Sequence, residues 1–164
     1  MVDLYKHRER STGFTLIELL VVVAIVGILA AAAIPNLLRA RITANETGAI
    51  GGCKTVCAAQ HDYNTQSSPH TYTGDLACLG SGNGAGHVSF IDPNLATGLK
   101  TGYHFSITAA EASLDGSIWT WSLTAWPVLY GSTGIRTFYV DASGVIRGSD
   151  IGGNLGTQTL PFIE

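Results

Sequence analysis

One carboxylate stands where carboxylates are expensive. Glu18 lies in the run Phe14–Leu38 (FTLIELLVVVAIVGILAAAAIPNLL), 25 residues of which it alone is charged. An unpaired charge inside hydrocarbon costs about 3 kcal/mol or more, so such a group is a functional candidate by default. Cys53, Cys57 and His61 form a second constellation. Their spacing of four puts them on one helical face, and a fourth ligand from Cys78 or His70 would complete a zinc site. Trp119, Trp121 and Trp126 could stack on a sugar or a base. Alternate positions on one strand, however, are the pattern of side chains packed on a helix. Asp92, Asp141 and Asp150 are isolated acids that form no dense cluster for calcium. Gly80-x-Gly82-x-x-Ala85 has the spacing of a dinucleotide fingerprint, but no strand precedes it and no helix follows. No Walker loop, HExxH or GxSxG elbow occurs. The chain reads as a non-enzyme that needs no cofactor.

Composition narrows the classes further. The chain has 164 residues, enough for one ordinary domain, and a net charge of −3. That balance provides no basic field, so nucleic acid is not an expected partner. Hydrophobic residues make up 46% and charged residues only 13%, which excludes a disordered chain and is unlike a typical cytosolic enzyme surface. Three cysteines are too few to build a disulfide scaffold, and their odd number leaves one thiol over.

The apolar excess is concentrated in Phe14–Leu38. As a helix this run is ~37 Å long, enough to cross a ~30 Å hydrocarbon core. Lys6, Arg8 and Arg10 precede it, against Asp3 and Glu9, and so hold the N-terminus in the cytoplasm. Three fates compete. A signal peptidase could cut near Ala30-Ala31-Ala32, but the run is long for a signal peptide and contains Glu18. A plain uncleaved anchor gives Glu18 no purpose. The third fate is a cut before the run, between Gly13 and Phe14.

The segment Ser11-Thr12-Gly13-Phe14-Thr15-Leu16-Ile17-Glu18 resembles the prepilin signal of type IV pilins and type II secretion pseudopilins. The resemblance covers residues 11 to about 41. It implies that a membrane peptidase cuts after Gly13 and that the new N-terminal Phe14 is N-methylated. Glu18 then occupies the position of the family's fifth mature residue, a glutamate used in subunit assembly. Gly27 and Pro35 match the helix-loosening glycine and proline, and Pro35 also lacks the N–H a helix interior needs. Gly13, with no side chain, lets a peptidase grip the backbone closely.

Beyond Pro35 the helical period continues through Leu38, Ile42, Ala49, Cys53, Val56 and Tyr63. Arg39, Arg41, Glu46, Lys54 and Asp62 lie mostly off this stripe, and Gly48, Gly51 and Gly52 weaken the helix by about 1 kcal/mol each. The sequon Asn45-Glu46-Thr47 falls inside the helix and is read as chance. From Leu99 the period becomes two: Tyr103, Phe105 and Ile107, then Trp119, Trp121, Leu123 and Ala125, then Ile135–Val140. A turn at Asp141-Ala142-Ser143-Gly144 leads into Val145-Ile146-Arg147. This block (FYVDASGVIR) resembles, less specifically, the C-terminal sheet of a pilin-like group.

The expected fold is therefore α+β: a long N-terminal helix packed on a C-terminal antiparallel sheet. The segments are a cleaved leader (1–13), a transmembrane and assembly helix (14–38), an amphipathic helix (39–66), a glycine-rich loop (67–98), the sheet (99–150) and a tail (151–164). Export to an oxidising compartment favours a disulfide over zinc. Cys57 is the expected partner of Cys78, because Cys53 lies a helical turn, ~5.4 Å, farther from the chain reversal near Ser67–Pro69. The resemblance implies a pilin that polymerises with itself, starting in the inner membrane and ending in an extracellular filament. Its partners would be a prepilin peptidase and methyltransferase and an ATPase-driven assembly platform. A type II secretion pseudopilin is the nearest alternative. A membrane-anchored binding module that never polymerises is the alternative from another class.

Overall fold

The computed structural model describes residues 13–81, 89–112 and 117–163, without the side chains of 110–112. Residues 1–12 of the expected leader, and Gly82 and Ala85 of the glycine motif, lie outside the described residues. The chain divides into two compact units, residues 1–37 and 38–164.

Among the described residues, helix α1 (Leu16–Gln66) supplies the regular structure of the first unit and the first element of the second. Within the first unit every large apolar side chain from Leu16 to Leu37 is exposed, from 48% at Val21 to 81% at Leu16. A helix with no polar face is built for lipid or for other helices, not for water.

In the second unit α1 becomes one-sided. Its buried residues are Glu46, Ala49, Gly52, Cys53, Val56, Ala59, Gln60 and Tyr63, a stripe with steps of three and four. The predicted stripe holds from Ala49 to Tyr63, whereas Leu38 is half-exposed. Two polar residues join it, and each brings its own partners. Glu46 belongs to the candidate site below. The Gln60 amide donates to the Thr73 carbonyl at 2.6 Å and accepts from the Thr73 N–H at 3.2 Å, as a neighbouring strand would.

The stripe packs on a five-stranded antiparallel meander in chain order: β1 (Leu99–Lys100), β2 (Tyr103–Ala112), β3 (Ile118–Pro127), β4 (Arg136–Asp141) and β5 (Arg147–Asp150). Tyr103, Phe105, Trp121, Leu123, Ala125, Phe138 and Val140 form the sheet's share of the core. The α+β architecture is the expected one. The last strand differs in place. Tyr139 pairs with Arg147, so 142–146 is loop rather than strand. The turn itself is as read: Gly144 has φ +75° and its N–H donates to the Asp141 carbonyl at 2.9 Å.

Two short helices stand inside the segment read as loop, α2 (Leu76–Ser81) and α3 (Pro93–Ala96). Asp92 caps α3 by accepting from the Leu95 N–H at 3.1 Å, with proline at the helix start. The C-terminal segment is no free tail. Thr137 donates to the Asn154 carbonyl at 2.9 Å, Gly148 to that of Pro161 at 2.9 Å, and Arg147 lies over the Phe162 ring at 4.6 Å. Thr137 and Tyr139, on the sheet face away from α1's core, are buried as a result.

Candidate functional site

Gly13, Phe14 and Thr15 precede the helix and are not helical. The cause is local. Thr15 donates both its N–H (2.9 Å) and its hydroxyl (2.7 Å) to Glu18 Oε2, while the Glu18 N–H donates to Thr15 Oγ1 at 3.2 Å. This is a reciprocal capping box, in which a threonine and a glutamate three residues on satisfy the helix's first amides. The first turn then closes through Leu19 N–H to the Thr15 carbonyl at 3.3 Å. Gly13–Phe14 is left just ahead of the helix start, with Phe14 79% exposed. The Thr15-x-x-Glu18 pattern was readable as a cap from the sequence. In the sequence that pattern is masked by the isolation of Glu18 as a charge in an apolar run.

Gly27 and Pro35 lie within α1, which runs unbroken through both. A Cβ at Gly27 would meet nothing within 4 Å. Beside Pro35, Asn36 Nδ2 donates to the Ala32 carbonyl at 3.3 Å, a side-chain bond in the turn that proline weakens. Local melting is absent from this conformation.

The cysteine constellation is dispersed. Cys53 is fully buried in the core, and burial pushes its thiol up to about 12. Cys57 and His61 line a groove with Tyr72, Trp121 and the Ala142–Gly144 turn. There burial, then the Asp141 charge, raises the Cys57 thiol. Cys78 is on α2, its Sγ 4.0 Å from Asp75 Oδ2. The structure does not join Cys57 to Cys78; all three cysteines are free thiols. The expected bridge assumed a plain loop returning beside Cys57. Instead the strand-end turn occupies that side of Cys57, and α2 carries Cys78 to Asp75.

His70 Nδ1 lies 2.8 Å from the Asn64 carbonyl, and among the described residues no group of three or more His, Cys, Asp or Glu gathers to hold a metal. The acids are engaged one by one. Asp92 also pairs with Lys100 at 2.7 Å, Asp141 holds the Ser143 N–H at 2.9 Å, and Asp150 accepts from the Tyr130 hydroxyl at 3.0 Å. Trp121 is in the core as expected, Trp119 is 58% exposed, and Trp126 stacks on His104 with centroids 5.5 Å apart.

Glu46 is the residue most misjudged from sequence. Its Oε1 accepts the N–H groups of Ile135 (3.0 Å) and Arg136 (3.1 Å), and its Oε2 accepts Arg136 Nε at 2.8 Å. Next to it Asn45 Nδ2 donates to the Thr133 carbonyl at 2.8 Å. The two side chains tie α1 to the entry of β4.

Comparison with known proteins bears on the N-terminal segment first. Residues 8–34 match the family described as the prokaryotic N-terminal methylation motif. The chain is 48% identical over 71 residues to the type IV wide pilus major component PilA4 of Thermus thermophilus, covering 43% of this chain and 53% of the relative. It is 40% identical over 66 residues to the type IV major pilin protein PilA of Myxococcus xanthus (40% and 30% covered). Over its N-terminal segment the chain is similar to type IV pilins. A third relative is the type II secretion system core protein G of Pseudomonas aeruginosa, 39% identical over 67 residues (41% and 47% covered). The chain thus spans between 30% and 53% of the length of these curated relatives. Residues 101–160, most of the sheet and the segment after it, match a family described as a protein of unknown function (DUF2950). No solved structure matches the chain. The methylation motif spans Gly13, Phe14, Glu18 and Gly27, and α1 is long and apolar enough to cross a membrane.

Proposed function

We propose that this protein is a filament subunit, a type IV pilin held in the inner membrane by residues 14–38 and assembled with copies of itself into a surface filament. The observation that carries the reading is the coincidence of three features on one segment. The methylation motif covers residues 8–34, the chain there is non-helical at Gly13–Thr15, and an apolar helix bare of polar partners follows. A prepilin peptidase would cut between Gly13 and Phe14, and a methyltransferase would modify the Phe14 amine. Residues 1–13 then serve as leader, and residues 39–66 and 99–150 as the helix and sheet of the exposed head. Glu18 is the assembly residue, Gly27 and Pro35 the places where the helix can loosen, and an ATPase-driven platform the partner that extrudes it.

The type II secretion relative favours a second reading, a pseudopilin of a periplasmic filament. The separate engagements of Asp92, Asp141 and Asp150 weigh toward the pilus, since the family's major pseudopilins carry a calcium site. Shearing surface filaments and mapping their peptides by mass spectrometry tests both. N-methylated Phe14 as the first residue of chains within the sheared filaments is the expected result. A methylated chain confined to the envelope would favour the pseudopilin, and an N-terminus near Ala33 would mean ordinary signal peptidase.

A further inference from the structure

Two arginines share a groove where α1 enters the second unit. Arg39, Ile42, Thr43 and Glu46, within two turns of α1, form one wall, and Ile135 and Arg136 at the entry of β4 form the other, around about 410 Å³. The Glu46 carboxylate is not open to a ligand, because both its oxygens are occupied by Ile135 and Arg136. It holds Arg136 by Nε alone, and the terminal Nη groups have no hydrogen-bond partner among the described residues. The Arg39 guanidinium is exposed and has none either among the described residues. Ile42 and Ile135 are half-exposed between the two. A pair of forked cations over an apolar floor suits an anion attached to an apolar body, because guanidinium matches phosphate in two-point geometry.

Position selects among such anions. Arg39 follows the apolar run by one residue, so in a membrane-inserted subunit it stands at the hydrocarbon edge, where lipid phosphates lie. Arg39 and Arg41 also place two positive charges on the translocated side, against the usual asymmetry. A phosphate partner on that side offsets this. We infer that the groove binds the headgroup phosphate of an anionic phospholipid, with Ile42 and Ile135 against its glycerol and upper acyl carbons. The inference rests on the membrane reading above, and it gives the unassembled subunit a seat for its head on the bilayer.

The test uses the full chain in detergent, with native mass spectrometry of retained phosphatidylglycerol. Retention should fall about fivefold in Arg39→Gln, the effect of one cation at a membrane surface. Arg41→Gln removes the same charge two residues away, outside the groove, and should leave retention unchanged. Diacylglycerol, which lacks the phosphate, should not be retained, and millimolar inorganic phosphate should not displace the lipid. Equal losses in Arg39→Gln and Arg41→Gln would reduce the effect to unspecific charge and overturn the site. Displacement by inorganic phosphate would overturn the lipid as its occupant. Carbonate washing of membranes separates this from failure of the membrane reading, which would release the wild-type chain into the soluble fraction.

Discussion

Cys53 and Tyr103 show how burial alone sets chemistry at the residue scale. Cys53 is fully enclosed, and its thiol is pushed up to about 12, from ~8.5 for a free thiol, by burial first and by Cys57 second. Burial, then the Glu46 charge, raises the Tyr103 hydroxyl as well, while it donates to the Arg136 carbonyl at 2.8 Å. Both groups are bound more tightly to their protons in the fold than in the unfolded chain. Their stabilisation is therefore complete below the unfolded pKa and lost as pH rises toward the folded one. Denaturant melts should accordingly show a flat stability up to roughly pH 8.5 and a decline above it. In the Cys53→Ala variant the decline between the thiol range and the ordinary tyrosine range, roughly pH 8.5 to 10, should be shallower, since Cys57 is then the raised thiol that remains. Alkylation of the folded chain near neutral pH should label Cys57 and Cys78 and spare Cys53. Labelling of Cys53 at the rate of the other two would contradict the buried assignment, and a mapped Cys57–Cys78 peptide would restore the bridge that the structure leaves unmade.

Neighbouring glycines in α1 have opposite meanings at the scale of the element. A Cβ at Gly51 would meet nothing within 4 Å, whereas one at Gly52 would lie 2.7 Å from Cζ of Phe105. Gly51→Ala should raise the stability of the unassembled chain by about 0.5–1 kcal/mol, the helix preference for alanine. Gly52→Ala gains the same preference but must push the Phe105 ring off its seat. The net effect should be a loss of about 1–2 kcal/mol, visible as a lower melting temperature. A rise in both variants would mean that the helix and β2 are not in close contact. From sequence the two glycines looked alike, because only the sheet distinguishes them. The same reason governs what else was legible. The stripe Ala49–Tyr63 and the alternation along β2 and β3 are periodic, and period survives in one dimension. Glu46 and Gln60 are buried by partners 13 to 90 residues away, which no local pattern announces. α2 and α3, at six and four residues, are shorter than the window in which a helical period can be counted. β5 was displaced because a turn motif marks where a strand ends and not how long the loop runs before the next begins. The Gly13–Glu18 pattern needs no fold to be legible, because its residues are neighbours in the chain.

As a proposed pilin the whole molecule would pass through two environments, and Glu18 would meet a different demand in each. Within one subunit the Thr15 N–H and hydroxyl already hold the carboxylate, so entry into the bilayer requires no second chain. Insertion is driven by the other residues of Phe14–Leu38, each large aliphatic contributing about 0.3–0.6 kcal/mol. Removing Glu18 deletes half of the capping box, a loss of about 1 kcal/mol at the helix start, and leaves that drive intact. Cleavage should also survive, since the scissile Gly13–Phe14 bond lies outside the helix. Assembly is different. In the proposed filament the freed Phe14 amine would be a second costly charge, and pairing it with Glu18 of a neighbouring subunit would neutralise both in a lipid-like core. That pairing would also fix the axial register, which smooth apolar helices would leave free to slide. Glu18→Ala should therefore appear in carbonate-washed membranes with N-terminal Phe14, and be absent from sheared filaments. Gly13 replaced by a bulky residue should instead keep its leader. Thr15→Val tests the division of labour: it weakens the cap but spares the carboxylate, so filaments should persist. Abundant filaments built from the Glu18→Ala chain would show that register is set by the packing of α1 and the head, and that the carboxylate serves only as a cap.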